Sequence, residues 1–177
     1  MRMQLIVMIL LVFGVSACAP ILSARTMERA SRAVPLVQMQ QQPEPYRGRL
    51  YAFGGTIASS KATIAGSLLE LVFTTVDSYG SLQDTISGSR VLAFMPKEQG
   101  LLDPMIFAEG RKVTVSGVFD GIQSGTIGEM PYGFPFFVIS EIYLWPKEVP
   151  RTYYYDYYSP TIWWGPSWGV GGGWWWR

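Results

Sequence analysis

The chain has 177 residues, 49% of them hydrophobic, and its 14 Lys and Arg against 13 Asp and Glu leave a net charge of +1. A near-neutral chain without a basic run lacks the phosphate-neutralising surface of nucleic-acid-binding proteins, so we expect no nucleic-acid partner. Its lack of histidine and its single cysteine argue against imidazole-based triads, an internal disulfide and the usual zinc ligand sets. We therefore expect no catalytic residue, no metal and no other cofactor.

Residues 1–17 are typical of an export signal. Arg2 precedes the apolar run LIVMILLVFGV at residues 5–15, whose length suits the apolar centre of a signal peptide. A membrane-spanning helix needs roughly 20 predominantly apolar residues. The run therefore predicts a cleaved signal peptide rather than an uncleaved anchor.

The only cysteine follows this run after two small residues. The sequence Val15-Ser16-Ala17-Cys18 resembles the lipobox of bacterial lipoproteins, which implies acylation of the thiol, cleavage before the cysteine and acylation of the new amine. Two or more acyl chains hold a protein on a membrane stably, since each buried methylene contributes about 0.8 kcal/mol. The residue after the cysteine is Ala19, not the aspartate associated with inner-membrane retention, so we expect anchoring in outer-membrane lipid. The alternative is a cysteine without a role in an ordinary signal peptide.

Residues 18–45 are predicted to be the lipidated cysteine and a tether. The segment contains a glutamine run and two prolines, Pro43 and Pro45, with room for a short helix around residues 23–33. No sustained periodicity supports a long helix.

Residues 46–147 change to short runs rich in β-branched and aromatic residues, separated by Gly, Asp, Ser and Pro. This pattern predicts an all-β fold, a small antiparallel barrel or sandwich, for which we favour an OB-like barrel of five to six strands. Asp120-Gly121 is a dipeptide favoured in tight hairpin turns, and Gly54-Gly55 suggests a bulge or sharp bend. The candidate strands are residues 47–58, 67–76, 89–96, 111–119 and 134–145.

Four stretches of this region resemble the Slp family of outer-membrane lipoproteins, the starvation-inducible lipoproteins of Gram-negative bacteria. They are, in order, GRLYAFGGTI, GSRVLAF, GLLDPMIFAEGRKVTVSG and GTIGEMPYGFPFFVISEIYLW. The most specific pieces are Leu102-Asp103-Pro104 and Gly125-Thr126-Ile127-Gly128, the latter followed by Pro131-Tyr132. The resemblance implies an envelope lipoprotein linked to stationary phase and stress, and it implies no enzymatic activity.

The carboxylates of the same region do not form a recognisable catalytic pair. A glycosidase requires two carboxyl groups across a sugar, and the sequence contains neither a Ser-x-x-Lys dyad nor a phosphate-binding glycine loop. An envelope hydrolase therefore remains the third hypothesis. The scattered carboxylates are Asp103, Glu109, Glu129 and Glu141.

Residues 148–177 form a low-complexity tail rich in Tyr, Trp and Gly, which departs from the better-known Slp members. Three roles compete: contact with the membrane surface, packing on the barrel or another subunit, and stacking on the sugars of peptidoglycan or a surface polysaccharide. The candidate interaction residues are Trp163, Trp164, Trp168, Trp174, Trp175 and Trp176.

Taken together, the sequence predicts a non-catalytic lipoprotein of the outer membrane in a Gram-negative bacterium, acting as an envelope structural or interaction module in starvation or stress. Its expected partners are outer-membrane lipid, through acylated Cys18, and other envelope proteins or peptidoglycan. The alternative is a ligand- or glycan-binding module that uses the barrel face and the aromatic tail.

Overall fold

Five long strands form a closed barrel in the computed structural model of the protein, which describes residues 20–147 apart from the side chains of residues 84–87. They follow the order β1–β2–β3–β5–β4 around the barrel, and every neighbouring pair is antiparallel except β3–β5, which is parallel. This topology confirms the all-β, OB-like prediction. The strands are β1 (Leu50–Thr63), β2 (Gly66–Val76), β3 (Leu82–Pro96), β4 (Lys112–Ile127) and β5 (Met130–Leu144).

The predicted strands match the observed ones in number and order but are too short. β3 begins at Leu82 rather than at 89, and β4 continues to Ile127 rather than ending at 119. The added parts carry Gly, Ser, Asp and Gln, which have low strand propensity alone. Pairing with a neighbouring strand makes them extended.

The hairpin turn predicted at Asp120-Gly121 is wrong. Gly121 lies inside β4, where the register with β5 shifts between Phe119 and Gly121, so the dipeptide forms a bulge. The actual turn follows Ile127 and contains Gly128, whose φ is +60°. An Asp-Gly pair supplies a positive φ, here +126° at Gly121, which a bulge uses as readily as a turn does.

The glycine pair Gly54-Gly55 serves close packing, and the register shift of β1 lies further along, between Ile57 and Ser59. A Cβ on Gly54 would stand 2.1 Å from Leu82 Cδ2, and one on Gly55 would stand 2.9 Å from Leu71 Cβ. Neighbouring side chains therefore fill the space that larger residues would need.

Apolar side chains fill the barrel interior. The ring of Phe137 lies at its centre, with ring centroids 4.7 Å from Phe53, 5.4 Å from Phe119 and 6.1 Å from Tyr51. Aromatic pairs at these separations add to the stabilisation from burial. The same core contains Leu69, Leu71, Phe73, Val91, Val113, Val115 and Ile139.

The N-terminal segment, which we expected to be a flexible spacer, packs against the barrel from residue 20 onward. It contains helix α1 (Ala24–Arg29) and helix α2 (Leu36–Gln41). α2 contributes Leu36 and Met39 to the barrel core, and Met39 is fully buried. Ser31 forms a parallel bridge with Tyr51 through two backbone hydrogen bonds, so the segment also extends the sheet beside β1.

A second, smaller core holds α1 on the outer wall of the barrel. It consists of Leu22, Met27 and Ala30 from the segment, packed on Ala52 and Val76, with Leu50, Leu82 and Tyr143 around them. Both faces of the first part of β1 are therefore buried, the inner face by the barrel core and the outer face by α1.

Candidate functional site

The interior of the barrel offers no ligand site among the described residues. Phe53, Phe119 and Phe137 are fully buried, and the ring of Phe137 contacts those of both Phe53 and Phe119. Met39 from α2 and Leu102 from the β3–β4 connection are buried in the same core. A binding site on residues 20–147 must therefore lie on the outer surface.

One depression on that surface is an open groove of roughly 750 Å³ between the N-terminal segment and the ends of β3 and β5. Its lining includes one carboxylate, Glu141, with Ser23, Gln99 and Ser140 as other polar residues. The remaining lining residues are Ile21, Leu22, Met95 and Ile142.

Both oxygens of this carboxylate accept hydrogen bonds from the start of the α1 segment. Glu141 Oε2 accepts from the Ser23 backbone N–H at 2.8 Å, and Oε1 accepts from the hydroxyls of Ser23 at 2.7 Å and Thr26 at 2.6 Å. Burial works to raise the pKa of Glu141, but these hydrogen bonds from Thr26 and Ser23 outweigh it and hold the pKa below its ordinary value. A carboxylate kept ionised in this way holds α1 in place and is a poor proton donor.

The structure places three of the four candidate carboxylates in different parts of the fold. Glu129 lies in the β4–β5 turn and Glu141 lies opposite Ser116 in the second half of β5, which separates them along the strand by about 40 Å. Asp103 Oδ1 accepts from the Met105 N–H at 2.8 Å within its own turn. Between residues 20 and 147, no group of three or more His, Cys, Asp or Glu could hold a metal ion.

The described chain starts beside the β2–β3 turn. The Ile21 N–H donates to the Tyr79 carbonyl at 2.8 Å, and Pro20, Glu28 and Arg32 line a shallow depression next to Ser78 and Tyr79. Cys18, the predicted lipidation site, lies outside the described residues, two positions before Pro20. Sequence reasoning missed this place because it is formed by residues more than fifty positions apart.

The end of β5 reaches the same turn from the other side. Trp145 Nε1 donates to Thr114 Oγ1 at 3.0 Å, and Thr114 Oγ1 donates to the Gly80 carbonyl at 2.8 Å. The aromatic tail of residues 148–177, with its six candidate tryptophans, lies outside the described residues. Within residues 20–147, the structure contains no helix with the length and apolar character needed to cross a membrane.

The comparisons with known proteins agree with the resemblance found in the sequence. The profile of the outer membrane lipoprotein Slp family matches residues 15–170. The chain belongs to the Slp family. The outer membrane protein Slp of Escherichia coli strain K12 is 30% identical over 137 residues, which cover 76% of this chain and 71% of that protein.

Solved structures resemble the chain only distantly. An aspartyl-tRNA synthetase structure from Leishmania major Friedlin has a TM-score of 0.40 at 13% identity, over 64% of this chain and 20% of that one. The mitochondrial single-stranded DNA binding protein Rim1 of S. cerevisiae has a TM-score of 0.34 at 13% identity, over 56% of this chain and 97% of that one. At these TM-scores, neither likeness supports an inference about this protein.

Membership in the Slp family places the protein in the outer membrane of a Gram-negative bacterium as a lipoprotein. The most specific Slp-like stretches also have clear structural roles. Leu102 enters the core and its N–H donates to Ser67 Oγ at 2.9 Å, while the Asp103 carbonyl accepts from Ile106 and Phe107. Arg111 then donates to the carbonyls of Ile106 and Trp145, at 3.3 and 2.8 Å.

The second Slp-like stretch closes the barrel. Gly128 makes the turn into β5. Tyr132, four positions on, places its hydroxyl between the backbone N–H and carbonyl of Arg90, at 3.2 and 3.3 Å. These bonds lie next to the short parallel pairing of β3 with β5, which joins only Leu92 to Phe136 through Phe94 to Val138. These residues of the Slp-like stretches therefore hold the loops and strands of the barrel together.

Proposed function

We propose that the chain is acylated at Cys18 after cleavage of residues 1–17, and that the lipid holds the mature protein on the outer membrane. Membership in the Slp family and the lipobox pattern before Cys18 support this proposal. The protein contacts its expected partner, outer-membrane lipid, through these acyl chains. We expect its function to need no cofactor.

The barrel of this lipoprotein acts as a non-catalytic structural or interaction module of the envelope, in adaptation to starvation or stress. The observation that supports this role best is the filled interior, because Phe53, Phe119 and Phe137 occupy the space that a ligand would need. The one carboxylate of the groove beside the N-terminal segment, Glu141, already accepts three hydrogen bonds from Ser23 and Thr26. A hydrolytic site would need a free carboxyl group to donate or accept a proton.

The test of the anchor is Cys18→Ser, followed by membrane fractionation and mass spectrometry of the mature N-terminus. We expect the wild-type protein to sediment with the outer membrane with an acylated N-terminal cysteine, and the variant to stay an unprocessed or soluble precursor. A variant that still sediments with the membrane as a shortened mature protein would contradict the proposal.

A matched control moves the thiol instead of removing it. Ser16→Cys in the Cys18→Ser background restores one cysteine two positions too early, behind Gly14 and Val15. We expect no acylation in this variant, because the small residue before the cysteine is lost from the lipobox pattern. Full acylation there would show that any cysteine after the apolar run is sufficient.

A further inference from the structure

The distance between the anchor and the barrel is set by very few residues. The backbone of Ile21 is fixed to the β2–β3 turn by its hydrogen bond to the Tyr79 carbonyl. Leu22, the next residue, is buried in the core under α1. Cys18 precedes Pro20 by two positions, and two residues span at most about 7 Å even when fully extended.

This reach is similar to the thickness of the headgroup layer on each side of a bilayer, because a bilayer of roughly 40–45 Å contains about 30 Å of hydrocarbon. An acylated Cys18 lies at the level of the headgroups because its acyl chains enter the hydrocarbon. Pro20 and the adjoining Tyr79 must then lie in or directly above the headgroup layer.

The surface around Pro20 has the composition that suits such a position. It consists of Pro20, the exposed face of α1 with Arg25, Glu28 and Arg29, and beyond them Arg32 and Tyr79, and we call it the α1 surface. Tyr79 is 53% exposed, and tyrosine favours the membrane–water interface.

The charges of the α1 surface favour phosphate-bearing headgroups. The surface carries Arg25, Arg29 and Arg32. Its acidic residues are Glu28 and, beside Tyr79, Asp77, whose Oδ1 accepts from the backbone N–H groups of Tyr79 and Ser81. Among the described residues, the three arginines make no ion pair. Basic side chains close to a membrane are attracted to anionic lipid.

The opposite end of the barrel cannot reach the same membrane through this anchor. Ile64, which is 96% exposed, lies in the β1–β2 turn, and Lys97 is joined to that turn by a hydrogen bond to the Ala65 carbonyl. β2 runs from this turn to the β2–β3 turn over its 11 residues, a length of roughly 35 Å. That length is several times the reach of the two residues after Cys18.

We propose that the α1 surface lies against the lipid headgroups of the leaflet that holds the acylated Cys18, and that the β1–β2 turn points away from the membrane. The inference rests on the proposed acylation of Cys18 and adds to it a docked surface and an orientation of the barrel. The partner is the surface of a bilayer that contains anionic phospholipid.

The test depends on the fact that Cys18 is the single cysteine of the chain. An acylated Cys18 has no free thiol. A thiol-reactive fluorophore therefore labels only the cysteine that is introduced elsewhere. Ser78→Cys and Glu28→Cys place the label on or beside the α1 surface, and Ile64→Cys and Lys97→Cys place it at the opposite end. All four side chains are exposed. The full lipidated protein is reconstituted in vesicles of phosphatidylethanolamine and phosphatidylglycerol that carry a headgroup nitroxide quencher.

We expect several-fold stronger nitroxide quenching at positions 78 and 28 than at 64 and 97, and the reverse order with iodide in the water phase. Equal quenching at the two ends, or stronger quenching at 64 and 97, on a protein whose acylation is confirmed by mass spectrometry would overturn the orientation while leaving the anchor intact. A protein without acylation at Cys18, detected by its mass and by labelling of Cys18 itself, would overturn the anchor and the orientation together.

Discussion

At the scale of the residue, Glu141 has the most informative surroundings among the described carboxylates. Its two oxygens accept three hydrogen bonds from Ser23 and Thr26, more than 100 positions away in the sequence. Ser23 is also the N-cap of α1, since its hydroxyl accepts from the Thr26 N–H at 3.3 Å. One carboxylate therefore fixes the start of a helix that has only six residues and could not form by itself.

The pKa of Glu141 predicts how this attachment depends on pH. Because the folded pKa is below the ordinary carboxyl value of 4.5, the stabilisation is fully present above that value and is lost as the pH falls through the lowered pKa. We expect Glu141→Gln to lower the free energy of unfolding by about 1 kcal/mol at neutral pH. We also expect the loss to become smaller in acid.

Urea unfolding of the Cys18→Ser chain between pH 3 and pH 7, with and without Glu141→Gln, measures both effects. Glu129→Gln is the matched control, because Glu129 is exposed in the β4–β5 turn and has no hydrogen bond to the described residues. A Glu141→Gln loss that stays constant over the whole pH range would show that the carboxylate charge has no part in holding α1.

At the scale of the element, the barrel depends on the contact between β3 and β5. This parallel pair is the shortest in the ring, with three residues of each strand in register. The hydroxyl of Tyr132 extends it by two hydrogen bonds to the backbone of Arg90, and Arg90 forms an ion pair with Glu70 across β2 and β3. Phe94 and Phe136 stack over the same junction with ring centroids 6.1 Å apart.

Removal of the Tyr132 hydroxyl is expected to loosen this junction. Tyr132→Phe keeps the ring against Phe134, at a centroid distance of 4.7 Å, but leaves the Arg90 N–H and carbonyl without these partners. A net loss of about 1 kcal/mol is expected, together with faster hydrogen exchange of the Arg90 amide. Tyr79→Phe serves as the control, since no described residue bonds to that hydroxyl. Unchanged exchange at Arg90 would mean that other contacts close the barrel.

The strands could be predicted from the sequence because their inward positions carry large apolar residues at a spacing of two, as in Val113 and Val115. The structural role of Asp120-Gly121 could not be predicted, because a bulge and a turn require the same positive φ and only the pairing with the partner strand distinguishes them. The packing of the N-terminal segment was missed for a related reason. Leu22, Met27 and Ala30 are too few to show a helical period, and the residues that bury them, Ala52 and Val76, are distant in sequence.

The features of the candidate site also differ in whether a local sequence pattern encodes them. Cys18 is predicted by local residue order alone, because a lipobox is a linear pattern, and it stays a prediction. The α1 surface needs the pairing of Ile21 with Tyr79, which no local pattern encodes. The lack of a carboxylate pair could only be suspected from the sequence, because distances between Asp103, Glu109, Glu129 and Glu141 depend on the fold.

At the scale of the whole molecule, the short connection between Cys18 and the packed segment changes what the anchor does. A long flexible spacer would let the barrel move freely above the membrane. With residues 21 and 22 already fixed to the barrel, the proposed acylation of Cys18 would position the folded domain within a few ångströms of the bilayer. A partner in the envelope would then meet the outer wall or the β1–β2 end of the barrel rather than its interior.

The tail of residues 148–177 is expected to add a second, non-covalent contact with the membrane, because Trp and Tyr favour the headgroup zone. We expect that deletion of residues 150–177 from a Cys18→Ser chain that lacks residues 1–17 markedly weakens its binding to phospholipid vesicles in a sedimentation assay, without a change in the urea midpoint. Ile64→Ala, which removes an exposed apolar side chain elsewhere, is expected to leave binding unchanged.

Vesicle binding that survives the deletion, with loss of binding to purified sacculi, would favour stacking on glycan. A lowered urea midpoint would instead assign the tail to packing on the folded domain, because the core formed by residues 20–147 would then be incomplete without it.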